Sequence, residues 1–380
     1  MDRGSPRRLQ QLKEHVVTLG RRELGRALLA RQSLLERADA TVEEAVARLV
    51  GMQAQAPYAP YFGLWSRIRA FRTADLADAL TERRLVRVAL MRSTVHLVTV
   101  ADYRALRPWS QDALDRELDT AFKAPLAGLD RAAVAESGRA LLGTRPLTPK
   151  ELRAVLHEQW PDRDPHALAT VVRNRVPLVQ VPPRAVWGVG GTTRYAAAAD
   201  WTGTEPAATA DAEQIVLRYL AAFGPASAAD VQTWAGRTRL RPVLEGLRPR
   251  LAVFRDEHGT ELFDLPGAPR PAAHTPAPVR FLPEYDNLLA SHADRTRVIS
   301  AEDRKRLLTG NGMRAAFLVD GQVAGAWKLQ QDKTSATLEI EPFRPLTAAE
   351  RAEVETEGSL LLKFAAPGAD QDVRGTTPRT

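Results

Sequence analysis

The 380-residue chain is 44% hydrophobic and 26% charged, which supports cores for two or three domains and excludes a disordered protein. It has no cysteine, so disulfides, thiolate metal centres and a cysteine nucleophile are excluded, and the composition fits a reducing cytoplasm. Lys and Arg number 53 against 46 Asp and Glu, only seven of the basic residues are Lys, and this arginine-borne charge of +7 points to phosphate-bearing partners.

In chain order, residues 1–11 are charged and lack an apolar leader core, and no run approaches the roughly 18 apolar residues of a membrane span. Apolar spacing then predicts helices over 23–30, 42–50, 61–70 and 74–81, followed by paired strands over 85–90 and 94–100 around Met91-Arg92-Ser93. A second set follows: helices over 111–122, 131–142, 149–160 and 167–175, then extended stretches over 176–181 and 193–198 separated by Pro182-Pro183-Arg184. The third set has helices over 212–223, 228–235 and 239–247, with strands over 251–255 and 261–265 joined by Asp256-Glu257-His258-Gly259. After a Pro- and Ala-rich linker at 266–278, strands over 317–319, 323–329 and 336–340 predict a small antiparallel sheet covered by a helix over 348–364. The tail from 367 to 380 lacks apolar periodicity and is expected to be disordered.

Three helices plus a hairpin is the winged form of the helix-turn-helix, whose third helix normally meets DNA. The expected architecture is therefore mainly α with short β-hairpins: winged-helix units at 20–107, 108–205 and 206–266, and a C-terminal β unit at 279–366. In the third unit Arg237, Arg239, Arg241 and Arg248 are the candidate DNA contacts, and Arg184 is the candidate at the tip of the second wing. The competing reading is a helical scaffold whose arginines face water.

The stretch Gly51-Met52-Gln53-Ala54-Gln55-Ala56-Pro57 leaves a helix at Gly51 and becomes extended before Pro57. Residues i and i+2 of an extended chain project to one face, so Gln53 and Gln55 are expected to point together and to hold one water between neutral amides. On spacing alone, a polar loop at a helix end accounts for it more readily. His96 on its strand is a candidate nucleotide contact or a buried hydrogen-bonded histidine. Glu284, Asp286 and Asn287 are candidate cleft residues or caps of the segment 288–292. Gly188-Val189-Gly190-Gly191 is no phosphate loop, lying inside a hairpin, and His157-Glu158 lacks the second histidine of a zinc site. No metal or cofactor is expected.

Four stretches together resemble the AlkZ-like winged-helix proteins: the one from Gly51 to Pro57, Met91-Arg92-Ser93-Thr94-Val95-His96-Leu97, Val179-Gln180-Val181-Pro182-Pro183-Arg184-Ala185-Val186-Trp187-Gly188, and Leu282-Pro283-Glu284-Tyr285-Asp286-Asn287. They occur in the family's order over about residues 23–365. The resemblance implies tandem winged-helix units around a concave channel. It also implies a DNA glycosylase that removes bulky N7-alkylated guanines, crosslinks included, in some members as self-protection by antibiotic producers. Its signature of glutamine, an apolar residue and glutamine falls on Gln53-Ala54-Gln55, with Ala54 smaller than the usual apolar residue, and makes Gln53 and Gln55 the catalytic pair. The expected partner is double-stranded DNA containing alkylated guanine, bound by a monomer with no obligate protein partner. The alternative is a non-catalytic winged-helix DNA-binding protein or regulator.

Overall fold

The computed structural model describes residues 17–310 and 312–375. The reading of residues 1–11 lies outside these, as does that of the tail's last five residues. Among the described residues no helix is long and apolar enough to cross a membrane.

A five-stranded antiparallel sheet stands at the centre, in the order Met52–Gln53, Val95–Thr99, Leu85–Ala89, Leu178–Gln180, Tyr195–Ala197. The hairpins expected in the first and second units thus share one sheet, joined where Val88 pairs with Val179. Thr99 is the strand's last residue and also caps helix Val100–Thr120 by accepting from the Asp102 N–H, so Val100, expected in the strand, opens the helix, which runs through the expected boundary at 107/108. The predicted start at 111 was late because the first turns carry strand-like residues, Val100 and Tyr103. Helices Arg131–Thr144, Pro149–Gln159 and Pro165–Arg175 then build a separate apolar cluster around Val134, Leu156 and Val171.

The third set forms helices Ala212–Phe223, Ala228–Ala235 and Arg241–Leu247, with strands Ala252–Asp256 and Glu261–Asp264. Ser227 and Asp230 form a capping box on the second helix, and Gly236 ends it in the left-handed region. Strand Thr18–Leu19 adds to this hairpin in parallel, and helix Arg21–Arg31, assigned by sequence to the first unit, packs against Ala212–Phe223. Buried Arg31 fastens it there through Asp264 at 2.6 and 2.8 Å.

The C-terminal sheet has strands Ala315–Val319, Gln322–Gln331 and Ser335–Pro342, close to expectation, with Arg280–Leu282 on one edge. Its other edge overturns an expectation. Asp370–Arg374, read as part of a disordered tail, pairs in parallel with Ser335–Pro342. The only apolar residue in that segment is Val373, which packs on the core, so the sequence carries no alternation to mark the strand. Helix Ala348–Ala365, started by the capping box of Thr347 and Glu350, covers the sheet.

Candidate active site

The two-glutamine stretch is delivered by a helix that is told where to start and stop. Thr41 and Glu44 cap helix Val42–Arg48 reciprocally. Beyond its end Gly51 has φ +88°, and a Cβ there would lie 2.7 Å from Val98 Cγ1, so conformation and space both demand glycine. The chain then enters strand Met52–Gln53, pairing Gln53 with His96. The Ala54 N–H donates to the Val95 carbonyl at 2.7 Å, which continues the pairing past the strand's end.

Both glutamine side chains turn to the same segment of the first hairpin. Gln53 Oε1 accepts from Arg92 Nη2 at 3.0 Å, and Gln55 Oε1 accepts from the Val95 N–H at 3.3 Å. Because each partner is a donor, the oxygen of each amide is the atom held, and each oxygen keeps a second lone pair. Gln53 is half-buried and Gln55 exposed.

Asn287 clamps the strand from the opposite side. Its Oδ1 accepts from the Gln53 N–H at 3.3 Å and its Nδ2 donates to the Gly51 carbonyl at 2.6 Å. Asp286 is buried and committed: it takes two hydrogen bonds from buried Arg67, at 2.8 and 2.9 Å, and caps helix Asn287–Ala290 through the Leu288 N–H. Glu284 instead lines a cleft of about 1050 Å³, together with Ala56, Tyr58, Phe62, Trp187 and Lys328. The Tyr61 hydroxyl donates to the Ala185 carbonyl and accepts from the Trp187 N–H, fastening the segment after Pro183 beside the two-glutamine stretch. All four quoted stretches therefore meet at one place.

Two arginines missed by sequence reading attend the motif. Arg87, on strand Leu85–Ala89, is buried and donates through Nη2 to the Ala54 carbonyl at 2.8 Å, while its Nε and Nη1 have no partner among the described residues. Burial first, and then the charge of Arg184, lower its pKa to about 10. Arg92, in the hairpin turn with φ +55°, is likewise lowered to about 10 by burial and by the charge of Arg295. His96 is buried, with Nδ1 2.9 Å from the Thr94 carbonyl, so Nδ1 carries the proton of the neutral ring. Burial, then the Arg92 charge, lower its pKa to about 3, which leaves it neutral and uncharged beside Gln53. The available signal for Arg92 was its place in the Met91 to Leu97 stretch. Arg87 gave none, since an arginine between Val86 and Val88 reads as the solvent face of a strand.

The arginines proposed as DNA contacts fare unequally. Arg237 lies over the Trp109 ring at 4.4 Å and is paired with Asp112 at 2.6 Å. Arg241 and Arg248 share Glu245 and Glu261, whose hydrogen bonds raise the pKa of Arg248. Arg239 is exposed with φ +62° and has no ion pair among the described residues. Arg184 donates to the Gly191 carbonyl at 3.2 Å within its own loop.

The solved structure of Streptomyces sahachiroi DNA glycosylase AlkZ has the same fold, with a TM-score of 0.77 at 17% identity over 94% of this chain and 100% of that one. Comparison with curated proteins returns no match. The family model described as DNA glycosylase AlkZ-like matches residues 46–364, a span that contains both glutamines, the Arg92 turn and the Asn287 clamp. The chain belongs to the AlkZ-like family of DNA glycosylases.

Proposed function

We propose that this protein hydrolyses the N-glycosidic bond of bulky, cationic N7-alkylguanine in double-stranded DNA, crosslinked guanine included, with Gln53 and Gln55 as the catalytic residues. The observation that carries this reading is the convergence of the two glutamine carbonyls on one segment of the first hairpin, Arg92 to Val95, with Gln55 immediately before Ala56, which lines the cleft. An N7-alkylated guanine already bears a full positive charge and leaves without a general acid. The amide oxygens then need only hold a water near C1′ and turn their dipoles toward the cationic sugar of the transition state. The water oxygen bonds to C1′, the C1′–N9 pair goes to the departing base and cancels its charge, and a water proton passes to solvent. Asp286 is occupied by Arg67 and supplies no free base, which favours a reaction run on neutral amides.

We read the three helix-and-hairpin sets as winged-helix units around a DNA channel, the first two joined by helix Val100–Thr120 and a shared sheet and helix Arg21–Arg31 packed on the third, followed by the β unit at 279–366. The protein acts as a cytoplasmic monomer, and protection of a producer from its own alkylating metabolite is the role that bulky adducts suggest. Single-turnover assays on matched duplexes test the chemistry. Release of N7-methylguanine, with uracil and O6-methylguanine spared, is expected. Binding of all three without release of any base overturns the enzymatic reading.

A further inference from the structure

Most arginines near the DNA-facing elements proposed above are already neutralised by carboxylates, as Arg237, Arg241 and Arg248 are. Others are not, among them Arg92, which bonds to Gln53. Among the described residues Arg92, Arg295 and Arg304 have no ion pair, and Arg295 Nε is buried without any partner. They come from separate parts of the chain: the first hairpin turn, the segment after the Asn287–Ala290 helix, and helix Ala301–Leu307. Each bears electrostatically on the next, Arg295 on Arg92 and Arg304 on Arg295. Arg92 and Arg295 are half-buried and Arg304 is exposed, so like charges gather at a partly dry surface without a counter-ion, which is unfavourable, and an arriving anion removes that cost.

The Arg92 side chain is held ready for one. Its Nη1 donates to the Trp234 carbonyl and its Nη2 to Gln53 Oε1, which fixes the guanidinium plane. The turn that carries it is braced by Gly236, where a Cβ would come within 3.1 to 3.2 Å of Arg92 Cγ, Cα and N. Arg92 is also half-buried rather than sealed, so part of its edge stays open. A planar guanidinium with two donors fixed by protein still presents donors that match a phosphodiester oxygen.

We propose that Arg92 and Arg295 form a phosphate subsite that seats one backbone phosphate of the lesion-bearing strand beside Gln53. This deepens the glycosylase reading and rests on it. The consequence is both positional and electrostatic. A phosphate on Arg92 places its attached sugar next to the Gln53 amide, which Arg92 itself orients. An unneutralised Arg92 charge 3.0 Å from Gln53 Oε1 would oppose a cationic sugar there. Once the phosphate binds, that opposition is cancelled, so the site becomes tolerant of developing positive charge only when DNA is seated.

The test is a methylphosphonate scan. Duplexes carry an uncleavable 2′-fluoro N7-methylguanosine and one neutral methylphosphonate at a time on the lesion strand, and dissociation constants are measured for wild type, Arg92→Gln and Arg295→Gln. Wild type should lose roughly tenfold or more in affinity at one phosphate flanking the lesion, the loss of a charged hydrogen bond. In either variant that same methylphosphonate should cost little further, and the log–log salt slope should fall by about 0.9 per lost contact. The inference is overturned if the variants keep the full wild-type penalty at that phosphate, or if no phosphate has a penalty that either variant removes. Arg295 makes no side-chain hydrogen bond among the described residues, so Arg295→Gln carries the comparison even if Arg92→Gln does not fold. Since the readout is binding, a wild-type protein that binds but excises nothing would sink the enzymatic reading while the scan still decides the subsite.

Discussion

Asn287→Ala is the most direct probe of how the fold holds the strand that carries the proposed catalytic Gln53. The substitution deletes both hydrogen bonds of the clamp, the one accepted from the Gln53 N–H and the one donated to the Gly51 carbonyl, and fills nothing in return. Each such bond contributes about 0.5 to 1.5 kcal/mol net, so the stability loss should be about 1 to 3 kcal/mol. The bond to Gln53 is long and the one to Gly51 short, which places most of that loss at the turn. The effect on rate should be larger than the effect on stability suggests. Gln53 lies on a two-residue strand paired on one side only, and displacement of a reacting group by about 1 Å costs on the order of 100-fold. Single-turnover excision of N7-methylguanine, measured beside denaturant unfolding and duplex affinity, separates these. Expected is a roughly 10- to 100-fold slower chemical step with affinity changed less than threefold. Asn287→Asp, which keeps the acceptor for Gln53 but loses the donor for Gly51, should recover part of the rate. An unchanged chemical step alongside the full stability loss would refute the argument, because it would show that Gln53 is positioned by Arg92 and strand pairing alone.

Three further outcomes follow from the same geometry. Gln53→Ala and Gln55→Ala should each slow single-turnover excision by roughly 10- to 1000-fold with duplex affinity nearly intact, and the double variant should lose less than the product if both amides hold one water; additive losses in log rate would separate their roles. His96 is neutral when folded, its pKa lowered to about 3, whereas the unfolded imidazole titrates near 6.5. Its contribution to stability is therefore whole above pH ~6.5 and is lost as pH falls toward 3, by about 1.4 kcal/mol per pH unit. Urea unfolding between pH 7 and 5 should show that slope reduced by one proton in His96→Gln, and equal slopes would count against it. Asp264→Ala strands buried Arg31 without its carboxylate and should destabilise the protein by about 3 to 5 kcal/mol, read in the same unfolding assay; a loss under 1 kcal/mol would mean the helix Arg21–Arg31 is held by its apolar face instead.

Helices with amphipathic spacing and side-chain caps were legible residue by residue. Ala212–Phe223 and Ala228–Ala235 begin after Asp211 and Ser227 and end at glycines, and local signals of that kind need no tertiary context. Strand partnership was not legible. Nothing local to Leu85–Ala89 or Leu178–Gln180 says that they pair with each other across a strand and four intervening helices, and the single register contact between Val88 and Val179 merges what reads as two hairpins. The N-terminal helix was misplaced for the same reason: its allegiance is decided by Arg31 and Gln32 reaching Asp264 and the Ala222 carbonyl, contacts more than 180 residues away in sequence.

The site divides along a similar line. Gln53 and Gln55 were singled out by the resemblance of their stretch to the family's glutamine signature, since spacing alone favoured a polar loop, and Asn287 because it lies in another such stretch. The basic residues could not be ranked that way. Counting arginines drew attention to the third helix set, where Arg237, Arg241 and Arg248 are plentiful, yet each has a carboxylate within about 3 Å. What sets Arg92 apart is that it is bonded to Gln53 yet has no ion pair among the described residues, and both are properties of the assembled chain. Its neighbours in sequence, Met91 and Ser93, are uncharged, as are those of Arg87, but so are the neighbours of many arginines that find an aspartate elsewhere. For a protein whose substrate is a polyanion, the informative cations are those that folding leaves unpaid, and they emerge only once every intramolecular ion pair has been placed.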